Sequence, residues 1–196
     1  MKKTVLTILF IVIAFSSVKA QRPNLQMRGF IGLNVYSAQF KNEEFFPGGV
    51  SVGYLGGFGL RVTRKKLIGG IDFSFIRSGI PIDLNGVGQG IERSTIRVSA
   101  FELPLTVGYK FVKSAFFKWN IYGGISTIIV TKVQDNDFDI RAHDLKNPQF
   151  GLRAGSGIDF AFFTFNLNYT YSLNKLVKDI SRNNSHLFEF NIGVIF

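Results

Sequence analysis

The chain has 196 residues and no cysteine, and its 23 basic and 13 acidic residues give a formal charge of +10. Without cysteine, a disulfide framework, a thiolate metal site and a cysteine nucleophile are all excluded, and the length suits one domain. The positive surplus does not point to nucleic acid, because the basic residues fall in turns and connections rather than on one helix or patch.

Lys2 and Lys3 precede an apolar stretch from Val5 to Phe15, and Ser16-Ser17-Val18-Lys19-Ala20 follows with small residues at Val18 and Ala20. This is the pattern of a cleavable secretory signal over residues 1–20, leaving a domain over 21–196. The apolar run is shorter than the roughly 20 residues a spanning helix needs. No later stretch approaches that length, so a membrane-bound mature chain would have to cross by strands closed into a barrel. Removing Lys2, Lys3 and Lys19 lowers the charge from +10 to +7.

Beyond the leader the apolar residues recur at every second position, the period of a strand. Residues 28–36 place Ile31, Leu33 and Val35 opposite Gly32 and Asn34. Residues 50–63 set Val52, Tyr54, Phe58, Leu60 and Val62 against Gly53, Gly57, Gly59 and Arg61. Residues 67–77 set Ile71, Phe73 and Phe75 against Gly70, Asp72 and Ser74, and 96–111 set Phe101, Leu103, Leu105, Val107 and Tyr109 against Glu102, Pro104, Thr106, Gly108 and Lys110. Residues 117–131 alternate least cleanly, because Tyr122, Ile128 and Val130 oppose Trp119, Ile121, Ile125 and Ile129. Residues 149–160 oppose Phe150, Leu152 and Ile158 to Arg153, Gly155, Gly157 and Asp159, and 163–173 oppose Phe165, Leu167 and Tyr169 to Asn166, Asn168 and Thr170. The eighth segment, 186–196, carries Phe188, Phe190, Ile192, Val194 and Phe196 on one face, with Glu189 on the other.

Connections alternate in length: 37–49, 78–95, 132–148 and 174–185 are long and polar, whereas 64–66, 112–116 and 161–162 are short. Eight antiparallel strands, three tight turns and four longer loops predict an up-and-down transmembrane barrel in the bacterial outer membrane. A soluble barrel would show Lys, Glu and Gln on its polar face. Here that face holds mainly Gly, Ser, Thr and Asn, which suit the narrow interior of an eight-stranded barrel. Its charges, Arg61, Lys110 and Arg153 against Asp72, Glu102, Asp159 and Glu189, nearly balance and predict a salt-bridged, plugged lumen. Tyr36, Tyr109, Phe111 and Trp119, near strand ends, are candidates for an interfacial aromatic girdle.

The stretch Phe101-Glu102-Leu103-Pro104-Leu105-Thr106-Val107-Gly108-Tyr109-Lys110-Phe111 resembles a recurrent segment of the PorT-like outer-membrane β-barrel family. Asn120 to Ile125, Phe150 to Asp159, Asn168 to Leu173 and the last strand extend the likeness over the mature chain, although Gly123-Gly124 stands where many relatives carry a nearby proline. The resemblance implies an outer-membrane location. The family's named member is needed for protein secretion and gliding, a role that most relatives have not been assigned.

Chemical motifs are weak. Ser185 and His186 sit at the start of the last strand, but neighbours on a strand face opposite ways and make a poor nucleophile–base pair. Asp135-Asn136-Asp137-Phe138-Asp139 resembles the opening of a calcium loop, yet Ile140 and Lys146 occupy positions that need Gly and a carboxylate. His143-Asp144 adds no ligand spacing, and Gly86-Val87-Gly88-Gln89-Gly90 lacks the strand–loop–helix setting of a phosphate cradle. No enzyme activity, cofactor or metal is expected. The expected partners are membrane lipid and lipopolysaccharide, the barrel-assembly machinery that reads the terminal aromatic strand, and an unidentified protein met by the outer loops, with Phe45-Phe46-Pro47 as a candidate sticky tip. A narrow pore, an accessory part of a secretion or gliding machine, and a lipid-modifying enzyme are the competing readings.

Overall fold

Period-two alternation over runs of ten or more residues leaves each strand one apolar and one small or polar face, and a closed sheet gives the two faces separate surroundings. The computed structural model describes residues 24–40, 45–47, 51–85, 91–114, 116–134, 147–174 and 183–196. The leader over 1–20, the calcium-like motif with His143-Asp144, and the glycine run 86–90 lie outside them.

The strands are β1 (Asn24–Phe40), β2 (Phe45–Pro47), β3 (Ser51–Arg64), β4 (Leu67–Asn85), β5 (Ile91–Lys113), β6 (Phe117–Val133), β7 (Gln149–Phe160), β8 (Phe163–Ser172) and β9 (Asn183–Ile195). All pairings are antiparallel. They run β4-β3-β1-β9-β8-β7-β6-β5, and β5 returns to β4, so eight strands form a closed barrel. The ninth, β2, is a three-residue strand laid against Ile82–Leu84 of β4. Closure leaves no edge within the wall, and each of its eight strands is hydrogen-bonded on both sides.

Large apolar side chains point outward along the wall, among them Ile31, Phe58, Val107, Leu152, Leu167 and Phe190, all exposed. Two connections are tight turns with a positive φ at their first residue: Lys65 (φ 53) between β3 and β4, and Ala161 (φ 51) between β7 and β8. That region favours glycine. Ala161→Gly is therefore expected to stabilise the barrel by about 0.5–1 kcal/mol, measured as a higher urea midpoint for refolded protein in vesicles.

The outer connections differ from the expected loops. The span 78–95 is mostly paired strand, in register from Ser78↔Val98 to Asn85↔Ile91, so β4 and β5 continue beyond the wall as a hairpin. Glycine, proline and asparagine read as loop signals there, but pairing overrides them. Phe45-Phe46-Pro47 is not a free tip either, because its backbone extends this hairpin as β2.

Pro104 lies fully buried on the inner face of β5. With no N–H to donate, it interrupts the β4–β5 ladder: pairing stops at Ile71↔Leu105 and resumes at Ser74↔Glu102 with the register unchanged. Bulges at Thr131 and Phe111 shift the β5–β6 register near its two ends.

Candidate functional site

The inner faces of the strands create the most unusual chemistry in the molecule. Arg61, Asp72, Glu102, Lys110, Arg153, Asp159 and Glu189 are all buried in the bore, each 6% exposed or less. Arg28 joins them. Its guanidinium makes two hydrogen bonds to Asp72, with Nε at 2.9 Å from Oδ1 and Nη2 closing on Oδ2, and its carbon Cζ lies 5.1 Å from the Phe30 ring centroid. Arg28 shares the parity of Gly32 and Asn34, so extending that face by two alternations would have found it.

With Arg28 included, four cations face four carboxylates. Arg61 Nη1 donates to both oxygens of Asp159, at 3.0 and 2.9 Å. Arg153 lies between two acids, with Nη1 2.6 Å from Glu102 Oε1 and Nη2 bonded to Glu189 Oε2. Ser126 Oγ also donates to Glu102, at 2.6 Å, and Thr170 Oγ1 accepts from Arg153 at 3.2 Å. These hydrogen bonds offset part of the cost of burying the ions, although Glu189 Oε1 and Arg28 Nη1 find no partner among the described groups.

None of the pairs joins adjacent strands. Arg28–Asp72 skips β3, Arg153–Glu102 skips β6 and Arg153–Glu189 skips β8, while Arg61–Asp159 links β3 to β7 with three strands between them on either side. They are ties across the bore. Asn166 Nδ2 donates to Thr164 Oγ1 and Asn191 Oδ1, both at 3.0 Å, and Tyr122 Oη donates to Asn168 Oδ1 at 2.6 Å. Glycine makes room for this filling. A Cβ at Gly59 would come within 1.9 Å of Asp72 Oδ1, and one at Gly155 within 2.5 Å of the Tyr122 ring.

The bore is not polar throughout. Tyr36, Leu55, Ile76, Ile96, Val98, Ala100, Val130 and Leu187 also point inward and pack together, with Ile128 and Val133 beside them. Most lie toward the end from which the β4–β5 hairpin extends, so an apolar packing layer accompanies the ionic one. Tyr36 is thereby removed from the expected girdle: it is buried inside the barrel. Tyr109, Phe111 and Trp119 remain outside and touch, with centroids 5.3 Å apart for Tyr109–Phe111 and 5.4 Å for Phe111–Trp119. At the opposite end Tyr54 Oη accepts from Arg77 Nη1 at 3.2 Å, and Tyr169 Oη meets His186 Nδ1 at 2.8 Å.

Ser185 is buried in the bore, whereas His186 lies on the outer face beside Tyr169 and Tyr171. The two do not form a dyad. Among the described residues no group of three His, Asp or Glu side chains is placed to hold a metal. Phe188, Phe190, Ile192, Val194 and Phe196 all face outward, continuing the apolar wall.

A closed antiparallel cylinder, greasy outside and ion-paired inside, is the form of a protein that crosses a bacterial outer membrane by strands. The family model described as outer membrane protein beta-barrel domain matches residues 19–178, and the chain belongs to that family. Neisserial surface protein A has a similar fold, with a TM-score of 0.53 at 11% identity over 89% of this chain and 99% of its own. The attachment invasion locus protein Ail of Yersinia pestis, solved with the heparin analogue sucrose octasulfate, gives 0.46 at 13% identity, covering 88% of this chain and 99% of its own. LpxR from Salmonella typhimurium gives 0.34 at 7% identity, covering 88% and 100%. No curated protein matches the chain in sequence.

Proposed function

We propose that the protein is a non-catalytic scaffold of the outer membrane that presents its outer connections, above all the β4–β5 hairpin, to a protein partner. The observation behind this reading is the contrast between the two parts of the molecule. The bore is crossed by four ion pairs and packed with apolar side chains, and two cavities described among these layers are about 10 Å³ each, the size of a single water. Outside the wall, by contrast, β2, β4 and β5 build a three-stranded projection. A rigid cylinder that holds a projection suits recognition better than transport or catalysis.

Arg77 and His186, on the outer face among tyrosines, are suited to the phosphates of lipopolysaccharide. The leader over 1–20 would deliver the chain to the periplasm, and the apolar face of β9 would be read by the assembly machinery. A second reading, an accessory component of a secretion and gliding machine, rests on the PorT-like stretch around Glu102-Leu103-Pro104-Leu105.

Crosslinking in intact outer membranes tests the scaffold. Deleting residues 80–95 is expected to preserve heat-modifiable gel mobility while removing the crosslinked partner. Purified barrel in planar bilayers is expected to show no steps above background. Steady ion conductance would replace the scaffold by a pore.

A further inference from the structure

The short-turn end of the barrel opens into a cavity of about 330 Å³, far larger than the two small cavities described inside the bore. Asn24, Gln26, Thr63, Arg64, Lys65, Lys110, Lys113 and Lys118 line it. Five of these eight are cations and none is acidic. Barrels of this type set their short turns on the periplasmic side, so the cavity faces the periplasm.

Solvated lysines on a rim would be ordinary, but Lys110 is not one of them. It is 2% exposed, and among the described residues its Nζ meets only a neutral acceptor, Thr63 Oγ1, at 3.1 Å. The nearby carboxylate of Asp159 is already engaged by Arg61 and by Thr164 Oγ1. Gln26 Oε1, on the same wall, is buried and finds no donor among the described groups. Among the described residues every other buried cation in the bore, Arg28, Arg61 and Arg153, has a carboxylate on it. A buried ammonium facing a pocket ringed by further cations lacks its counter-charge.

We propose that this inner mouth is a binding cup for a small phosphorylated anion. Lys110 forms its floor, Lys113 and Lys118 lie on one side, and the turn residues Arg64 and Lys65 on the other. Ammonium groups neutralise clustered phosphate oxygens as point charges. Neutral donors and acceptors from Asn24, Gln26 and Thr63 can meet hydroxyls on the same ligand. The Arg61–Asp159 tie lies above the floor, so the ligand is held and not passed through the bore.

Titration calorimetry with inorganic tripolyphosphate, on full-length barrel in nanodiscs of zwitterionic lipid, tests this. One-to-one binding is expected, weaker by about tenfold or more in Lys110→Met and in the double variant Lys113→Gln/Lys118→Gln. The double variant changes only rim side chains, so its folding, checked by gel mobility, stays intact. Repeating the titration with anionic phospholipid separates the ligand's sources: competition identifies a lipid phosphate, and unchanged affinity a soluble one. No heat of binding, or equal affinity in wild type and double variant, overturns the proposal.

Discussion

Replacing Arg153 by methionine is expected to destabilise the barrel by about 3–5 kcal/mol, because Glu102 and Glu189 would both stay buried with no cation between them. Urea unfolding of refolded protein in vesicles reads the loss directly. Trp119, the single tryptophan, reports it from the outer wall. The control is the triple variant Arg153→Met/Glu102→Gln/Glu189→Gln. With all three charges removed together no ion is left stranded, and stability should return to within about 1–2 kcal/mol of the wild type. If the single variant unfolded like the wild type, the acids would have to be solvated and the bore wet.

Leu167→Arg is expected to cost about 2–4 kcal/mol in a bilayer, since Leu167 is exposed midway along β8, where the wall faces hydrocarbon. Leu173→Arg, just past the outer end of the same strand, should cost no more than about 1 kcal/mol. The difference between the two variants is the informative quantity. A soluble barrel would tolerate arginine equally at both positions. Retained heat-modifiable mobility in Leu173→Arg, with partial loss in Leu167→Arg, is the gel-based counterpart.

The wall was legible in the sequence because lipid on one side and a narrow bore on the other impose opposite demands on alternate residues. β7 and β8 show this: Phe150, Leu152, Ile158, Phe165 and Leu167 face out, while Arg153, Asp159, Asn166 and Asn168 face in. What escaped were departures from two-letter patterning. Leu55, Ile76, Val98 and Leu187 are apolar residues on the inner face, and alternation alone registers such residues as noise. Tyr36 looked like an interfacial aromatic until its parity placed it inside. Arg28 is hidden because the polar face of the first segment reads clearly only from Gly32 onward, with Phe30 interrupting it.

The projecting hairpin was hidden for a different reason. Gly79, Pro81 and Asn85 are turn formers by local preference, and only the cross-strand partners Arg97, Thr95 and Ile91 hold them extended. The inner mouth combines both problems. The parity of Lys110 set it in the bore, but its neighbourhood with Lys113 and Lys118 depends on the bulge at Phe111, which a single strand's pattern does not reveal.

The crosswise placement of the ion pairs bears on how such a cylinder is made. A sheet still being wound first pairs neighbouring strands, and none of these four ties joins two neighbours. Three of the ties need only three consecutive strands to curl together: β1-β3-β4 for Arg28–Asp72, β5-β6-β7 for Arg153–Glu102 and β7-β8-β9 for Arg153–Glu189. Arg61–Asp159 is different: β3 and β7 come face to face only as the first and last strands approach, so this one tie couples its ion pairing to closure of the seam.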